Sequence, residues 1–217
     1  IEFSIHGMLD GRVRVGMPGK FNADNALAAL AVCTLALSGG SGVLDDHTKQ
    51  AILGSLVKVR VDGRMEIAHV SKKCSVIVDY AHNAVSMESL LTTLRDYHPK
   101  RLVCVFGCGG NRARDRRYSM GEIGGKMADL CIITADNPRF EKNEDIIKDI
   151  EVGLAKTDGK YIVIPDRREA IFYAIRNAEE GDMIAIIGKG HEDYQEIEGV
   201  KHHFLDREVV EEAVNNV

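Results

Sequence analysis

The stretch RLVCVFGCGGNRARDRRYSMGEIGGKMADLCIITA, residues 101–135, decides the fold of this chain. Its first and last segments are almost entirely apolar, which is typical of strands buried on both faces. The residues between them have the length and spacing of a glycine-containing loop followed by a helix. Two strands joined in this way predict a parallel β-α-β unit.

The same alternation of strand and helix extends in both directions from this unit. Upstream, the apolar strand 75–82 precedes a helical segment at 84–98, and downstream three segments continue the pattern at 160–165, 166–178 and 182–188. A helix at 207–215 closes the chain. We therefore predict an α/β fold, with a Rossmann-like C-terminal domain whose mostly parallel sheet is covered by helices on both faces.

The first sixty residues have a different pattern. Residues 3–19 alternate apolar and polar side chains, which predicts a β-hairpin with its turn at 9–11. An alanine-rich helix follows from Asn22, with asparagine as its N-cap, and a second helix covers 46–56 with an aspartate cap. Because His98-Pro99-Lys100 interrupts the helical pattern, we expect two domains, 1–98 and 99–217.

The composition excludes several classes of protein. The 217 residues are 45% hydrophobic and 28% charged, which is typical of a soluble folded chain, and the net charge of -5 argues against general nucleic-acid binding. No apolar segment reaches the roughly 20 residues that a membrane-spanning helix needs. A cytosolic location is the default expectation.

Ligands of open parallel sheets bind at the carboxyl ends of the strands, so the residues directly after each strand are the candidates for a site. These residues are Asp79, Tyr80 and His82, then 107–117, then 136–139, then 188–192. They combine glycines with charges of both signs. Such a rim is suited to a small zwitterion.

Two of these loops allow more than one interpretation. The glycines of 107–110 fit an anion-binding nest of backbone N–H groups, or equally a tight turn between strand and helix. In the tetrapeptide at 136–139, Pro138 stiffens the loop, and Arg139 can grip a carboxylate through two parallel hydrogen bonds. The alternative for this loop is an ordinary helix start, with Asp136 as N-cap and Pro138 in the first turn.

Several motifs together resemble the Mur ligase family. They are GKFNADNALAAL, DGRMEIA, VDYAHNAVSMESLL, VFGCGGNRARDRRYSMG, TADNPRFE, DRREAI and IIGKGHEDYQ, in this order along essentially the whole chain. The closest resemblance is to the branch of the family that adds meso-diaminopimelate to a peptidoglycan precursor. The resemblance implies an ATP-dependent amide ligase that uses Mg²⁺, in which an acyl phosphate of the UDP-N-acetylmuramoyl-dipeptide is attacked by the amine of the incoming amino acid.

The resemblance also implies roles for individual residues. For meso-diaminopimelate they are Arg112, Asp136, Asn137, Pro138, Arg139, Gly188 and Glu192. For ATP they are Asn22, Asn25, Arg64, Asp79 and His82. It implies no certain catalytic residue and no metal ligand in this chain, and it favours a monomer.

The chain also departs from the family pattern. The P-loop, the Mg²⁺-binding residues and the UDP-sugar-binding domain of the family have no counterpart here, so we interpret the chain as the end of a central ATP-binding domain followed by a complete C-terminal domain. The proline that usually follows the DYAH motif is also missing. Two alternatives stay open: a related ligase, for example of the folylpolyglutamate type, that takes another amino acid, and a non-catalytic binding module.

Overall fold

Strands and helices alternate along most of the chain in the computed structural model, which describes residues 1–7 and 9–216. The strands are β1 Glu2–Ile5, β2 Gly11–Arg14, β3 Glu66–Val70, β4 Cys74–Asp79, β5 Arg101–Phe106, β6 Leu130–Ile133, β7 Tyr161–Val163, β8 Asp182–Ile187, β9 Tyr194–Ile197 and β10 Val200–His203. The helices are α1 Phe21–Leu37, α2 Asp46–Ser55, α3 Ala84–Arg95, α4 Asp115–Met127, α5 Asn143–Leu154, α6 Arg167–Arg176 and α7 Asp206–Asn215. None of these helices is both long and apolar enough to cross a membrane.

The chain divides into two compact units, Ile1–Val61 and Asp62–Val217. The division does not fall at the predicted position after His98. The reason is that β4 pairs in parallel with β8 along its full length, from Cys74 beside Asp182 to Asp79 beside Ile187. Hydrogen bonds of a shared sheet therefore hold the segment before His98 in the same unit as the segment after it.

The first unit contains the predicted hairpin and both predicted helices. β1 and β2 pair antiparallel, and Met8 of the connecting segment lies outside the described residues. The Asp45 carboxylate accepts a hydrogen bond from the Thr48 N–H at 2.9 Å, which confirms an aspartate cap for α2. The predicted asparagine cap of α1 is wrong, because the helix begins at Phe21 with Lys20 in the cap position and Asn22 inside the first turn.

The second unit is built on a six-stranded sheet with the order β3-β4-β8-β5-β6-β7. β3 runs antiparallel to β4, and every other neighbouring pair is parallel. Such a sheet places the carboxyl ends of β4, β8, β5 and β6 side by side at one edge. The mostly parallel sheet, which was predicted from apolar strands that alternate with helices, is confirmed.

Helices cover both faces of this sheet, as predicted. α6 and α7 pack on one face through Ile171 and Val210 against valines and isoleucines of the strands. On the other face, Gly124 of α4 lies against the side chains of Met87, Phe106 and Cys131, so closely that even an added methyl group would be crowded. The strands are therefore shielded from water on both sides, which explains why their sequences are almost uninterrupted apolar runs.

One hairpin in this unit was not predicted. β9 and β10 pair antiparallel between β8 and α7, where no regular element was predicted. Both strands have only four residues, and no residue of β10 is buried. Short exposed strands carry little periodic signal, so the hairpin becomes visible only through its contacts.

Candidate functional site

Four loops meet at the carboxyl ends of β4, β8, β5 and β6 and enclose a cavity of about 170 Å³. Its lining residues are Tyr80, His82, Gly107, Cys108, Gly109, Arg112, Arg116, Asp136, Asn137, Arg139, Gly188 and Glu192. The structure thus brings six of the seven residues predicted for the amino-acid pocket to one cavity; Pro138 is the exception. His82, which was predicted with the nucleotide group, lines the same cavity.

The cavity combines opposite charges within a small volume. Arg112, Arg116 and Arg139 contribute guanidinium groups, and Asp136 and Glu192 contribute carboxylates. A ligand that carries both carboxylate and ammonium groups can find partners for each of them here, whereas a ligand of one sign would face repulsion from part of the lining. The geometry therefore favours a zwitterion, such as an amino acid.

The loop at Asp136–Arg139 is not a helix start. Helix α5 begins only at Asn143, with Lys142 in the cap position, so the predicted structural roles of Asp136 and Pro138 are wrong. Asp136 instead accepts a hydrogen bond from the Asn137 N–H at 2.6 Å through its carboxylate, and its carbonyl oxygen accepts one from the Gln195 side chain at 2.8 Å. The segment is an irregular loop held by contacts distant in sequence, which local sequence signals do not report.

Arg139 is fixed by its backbone and by its side chain. Its φ angle of 54° lies in the left-handed region, which costs a residue other than glycine on the order of 1 kcal/mol or more unless its surroundings impose it. The Arg139 N–H donates to the Glu196 carbonyl at 3.0 Å, and the Glu198 N–H donates to the Arg139 carbonyl at 2.7 Å. Its Nη1 donates to the Gly110 carbonyl at 2.8 Å. The unpredicted β9–β10 hairpin is therefore what holds Arg139 at the cavity.

The glycine loop after β5 packs directly against the loop after β6. A methyl group on Gly107 would overlap the Thr134 carbonyl oxygen, and one on Gly110 would overlap the Pro138 carbonyl oxygen. The Gly110 N–H donates to the Asn137 carbonyl at 2.8 Å, and the Asn111 N–H donates to the Glu141 carboxylate. Because protein groups already use these two N–H groups, the structure favours close packing over an anion nest as the role of Gly110.

Beside the cavity, Asn137 and Glu192 form one hydrogen-bonded group with a third residue, Lys189. The Asn137 Nδ2 donates to Glu192 Oε2 at 2.8 Å, and the Lys189 ammonium lies 3.3 Å from that same carboxylate oxygen. Tyr80 completes the group, because its hydroxyl lies 3.5 Å from Glu192 Oε1. Sequence reasoning gave no role to Lys189, although it lies within the predicted range 188–192, and it missed Glu196; a lysine between two glycines after a buried strand was the signal available for the first.

The residues predicted for ATP in the second unit have different surroundings. The Asp79 carboxylate is buried and accepts hydrogen bonds from the Met65 and Ala81 N–H groups, each at 2.7 Å. Burial raises the pKa of Asp79 above its ordinary value. Arg64 lies over the Tyr80 ring, with its guanidinium carbon 4.7 Å from the ring centre. Asp79 thus holds the turn at the end of β4, and Arg64 is the more accessible group.

The turn after Asp79 lacks the proline of the family pattern and is closed in another way. The His82 Nδ1 lies 2.9 Å from the Tyr80 carbonyl oxygen. Asn83 caps α3, because its side chain accepts from the Ser86 N–H at 3.0 Å while the Ser86 hydroxyl interacts with the Asn83 backbone. This reciprocal capping box fixes the chain entry into the helix without proline.

In the first unit, Asn22 and Asn25 lie one turn apart on α1 and are hydrogen-bonded to each other. The Asn25 Nδ2 donates to Asn22 Oδ1 at 3.0 Å, and the Asn22 Nδ2 donates to the Pro18 carbonyl at 2.6 Å. Asn22 is buried and Asn25 is exposed. The pair is thus ordered by local hydrogen bonds.

Comparison with known proteins matches this chain to an enzyme family. Residues 63–190 match the family described as "Mur ligase, glutamate ligase domain". A protein of Aquifex aeolicus (strain VF5) named UDP-N-acetylmuramoyl-L-alanyl-D-glutamate--2,6-diaminopimelate ligase is 47% identical over 196 residues, which are 90% of this chain and 38% of that protein. A protein of the same name from Clostridioides difficile (strain 630) is 43% identical over 203 residues, 94% of this chain and 40% of that protein.

A solved structure is similar over nearly the whole chain. It is titled as that of a UDP-N-acetylmuramoyl-L-alanyl-D-glutamate--2,6-diaminopimelate ligase and has a TM-score of 0.69 at 34% identity, covering 99% of this chain and 42% of that chain. The present chain therefore spans about 40% of the length of the relatives that it matches. Because the family match covers more than half of its residues, this chain belongs to the Mur ligase family, through its glutamate ligase domain.

Proposed function

We propose that this chain is the part of an ATP-dependent peptidoglycan ligase that holds the incoming amino acid, meso-diaminopimelate, for attachment to UDP-N-acetylmuramoyl-L-alanyl-D-glutamate. The observation that carries the proposal is the cavity in which Arg139 lies with Asp136 and Glu192. The names of the relatives, which span more than the present chain, support the same reaction.

In the proposed reaction, ATP transfers its γ-phosphoryl group to the γ-carboxylate of the D-glutamyl residue, giving an acyl phosphate and ADP. The amine of the amino acid then attacks the acyl carbon, inorganic phosphate leaves, and the amine loses a proton. The contribution of this chain is to bind and orient the nucleophile, which converts an encounter in solution into a reaction of bound groups. Asn22, Asn25, Arg64, Asp79 and His82 remain predictions for nucleotide binding, and we assign no Mg²⁺ ligand here.

The choice between meso-diaminopimelate and lysine follows from one functional group. The two amino acids differ by the carboxylate on the distal carbon, and Arg139 is the residue whose guanidinium group we assign to it. Arg139 already has an ionic partner, because its Nε lies 3.2 Å from Glu196 Oε2. Without a ligand it is therefore not an isolated charge, and we expect discrimination from one charge-assisted interaction, about 1.5–3 kcal/mol, or roughly 10- to 100-fold.

The test is amino-acid selection by the whole ligase that contains this chain. We expect Arg139→Ala to raise the KM for meso-diaminopimelate roughly 10- to 100-fold, with the KM for ATP changed less than about twofold. Arg114→Ala is the matched control, because Arg114 is an exposed arginine next to the glycine loop and is absent from the cavity lining. Efficient use of lysine by the unmodified enzyme would contradict the assignment of the distal carboxylate.

The same assay separates the two alternatives. A ligase for another amino acid would form ADP and phosphate with that amino acid and leave meso-diaminopimelate unused. A binding module would retain the ligand, as measured by calorimetry, and form no amide product with ATP and the UDP-linked dipeptide. Product formation with meso-diaminopimelate is the outcome that the proposal requires.

A further inference from the structure

Lys189 is a buried lysine that the proposed function does not use. Its side chain has no solvent exposure. It is the second residue after β8 and lies between Gly188 and Gly190, whose φ angles of 115° and 52° allow a sharp change of chain direction on both sides. A lysine rarely has a fully buried ammonium group unless polar partners satisfy it. The identity of those partners therefore indicates what the residue does.

Three oxygen atoms surround the Lys189 ammonium group. It lies 3.3 Å from Asn137 Oδ1 and 3.3 Å from Glu192 Oε2, and it donates to the Tyr194 carbonyl oxygen. The Tyr194 ring centre is 5.3 Å away. Three acceptors match the three N–H donors of an ammonium group, so the hydrogen-bonding capacity of Lys189 is fully used.

These contacts determine the orientation of the Asn137 amide. Lys189 and the Glu196 N–H, the latter at 2.9 Å, both approach the same atom of Asn137, and both are donors. Only the amide oxygen can accept from two donors, so the amide nitrogen must be the atom that faces Glu192. Lys189, Asn137 and Glu192 thus form a closed triangle in which each side chain contacts the other two.

The position of the triangle relative to the cavity is informative. Asn137 and Glu192 line the cavity, whereas Lys189 does not. A residue that filled space in the core would contact apolar neighbours, but every polar contact of Lys189 goes to the two loops that carry the lining residues or to β9, which supports them. Lys189 is therefore placed to act on the site through its partners.

We propose that Lys189 is a positioning residue of this site: its buried ammonium group holds the Asn137 amide and the Glu192 carboxylate in the orientation in which they meet the ligand. The assignment of the ligand as an amino acid rests on the proposed function. With Lys189 in place, one Asn137 N–H is directed at Glu192, and Glu192 is oriented and partly neutralised. Without it, the Asn137 amide oxygen keeps only the Glu196 N–H as a donor, and the Glu192 carboxylate loses the ammonium group 3.3 Å away.

The charged surroundings of Lys189 predict how the site responds to pH. Asp136, Glu192 and Asp206 favour its charged form, while burial, the largest effect, and Arg167 disfavour it, so the pKa of Lys189 lies below the ordinary lysine value of 10.5. A lysine with a lowered pKa loses its proton at a lower pH than an exposed lysine does. The neutral amine then holds the Asn137 amide and the Glu192 carboxylate less strongly. We therefore expect amino-acid binding to weaken as the pH rises through this lowered pKa.

The decisive variant is Lys189→Met in the whole ligase, because methionine has a similar length and no charge. We expect the KM for meso-diaminopimelate to rise about tenfold or more, which corresponds to one lost charge-assisted interaction, while the KM for ATP changes less than about twofold. We also expect the alkaline rise in KM predicted for the unmodified enzyme to be absent from the variant. A purely structural lysine would leave the ratio of the two KM values and the pH profile unchanged, and that result would overturn the proposal.

Two controls separate positioning from lost stability. Lys148→Met removes an exposed lysine of α5, and Ile171→Ala lowers stability from the buried core on α6. Neither should change the ratio of the KM values. If Ile171→Ala reproduced the effect of Lys189→Met, reduced stability would explain it and the proposal would fail.

Crystal structures of the ligand-free ligase keep this test independent of the proposed function. We expect the Asn137 Nδ2 and Glu192 Oε2 atoms to separate from their 2.8 Å contact in Lys189→Met. A contact that survives the substitution would overturn the proposal, whatever the substrate is. Failure of the unmodified enzyme to use meso-diaminopimelate would refute the proposed function alone, and the structures would still decide the role of Lys189.

Discussion

Arg139 and Glu196 are joined through both backbone and side chain. The Arg139 N–H donates to the Glu196 carbonyl at 3.0 Å, and the Arg139 Nε lies 3.2 Å from Glu196 Oε2. The two residues are far apart in the sequence. Strand β9 therefore orients the Arg139 guanidinium group, which we assign to the distal carboxylate of the ligand. The Glu196 carboxylate partly compensates the charge of this group before any ligand binds.

This pairing leads to a prediction for Glu196→Gln. Glutamine keeps an oxygen that can accept from Arg139 Nε, but it removes a negative charge near the incoming carboxylate. Repulsion between two carboxylates that share one guanidinium group at a solvated site is worth roughly 0.5–1 kcal/mol, so we expect the KM for meso-diaminopimelate to fall about two- to fivefold. Steady-state kinetics of the whole ligase measure this change in KM. Glu198→Gln, in the same hairpin, is the control. If the KM of Glu196→Gln were higher than that of the unmodified enzyme, the Glu196 carboxylate would favour ligand binding and the prediction would be wrong.

A second prediction compares two neighbouring glycines. A methyl group on Gly110 would overlap the Pro138 carbonyl oxygen, which is backbone, whereas one on Gly109 would lie 2.9 Å from Arg139 Nη1, the end of a flexible side chain. We expect Gly110→Ala to lower the free energy of unfolding by about 1–3 kcal/mol, as overpacking does. Gly109→Ala should change the free energy of unfolding little, because only the flexible end of the Arg139 side chain must move. The displaced guanidinium group should raise the KM for the amino acid. Urea denaturation and kinetics distinguish the two, and equal loss of stability would contradict the packing of the two loops.

A third prediction concerns a buried ion pair beneath the site. The Arg167 guanidinium group donates to both Asp206 oxygens, at 2.8 and 2.7 Å, and to the carbonyls of Ala135 and Ile187, which end the segments that lead into the cavity loops. Arg167→Met leaves the Asp206 carboxylate buried without its ion-pair partner. We expect this variant to lower the free energy of unfolding by about 3–5 kcal/mol.

The double variant Arg167→Met with Asp206→Leu removes both charges. We expect it to be more stable than Arg167→Met alone, because no unpaired charge remains in the core. Chemical denaturation of the three proteins forms the test. If the double variant were the least stable, the two residues would contribute independently and the pair would not act as a unit.

A fourth prediction concerns pH. The buried Arg117 donates to Glu141 Oε1 at 2.8 Å and to Asp149 Oδ2 at 2.9 Å, and the hydrogen bond from Arg117 lowers the pKa of Glu141 below its ordinary value of 4.5. A carboxylate with a lowered pKa in the folded state stabilises the protein above its unfolded pKa, and this stabilisation is lost as the pH falls through the folded value.

We therefore expect Glu141→Gln to be less stable than the unmodified protein at neutral pH, with a difference that shrinks as the pH falls below about 4.5. Thermal unfolding between neutral and acidic pH measures the difference. In an Arg117→Met background the pH-dependent part should largely disappear. A difference that is independent of pH would indicate that the charge of Glu141 is not involved.

Local sequence patterns determined most of the second unit and the members of its site. Uninterrupted apolar segments predict buried strands because both faces of the sheet are covered, and helix spacing between them predicts the parallel order. The residues after each strand then had to meet at one edge, which is why Arg112 and Glu192, distant in sequence, were both expected at the cavity. The motifs by themselves also indicated the Mur ligase family.

Tertiary structure alone decided the features that depend on contacts between distant segments. The pairing of β4 with β8 moved the division of the chain to Val61, and the short β9–β10 hairpin clamps Arg139 in a left-handed conformation. Lys189 beneath the site has no local signal beyond its flanking glycines. Periodicity reports which face of one element is buried, but a hydrogen bond between residues fifty positions apart exists only once the packing of the whole sheet has brought them together.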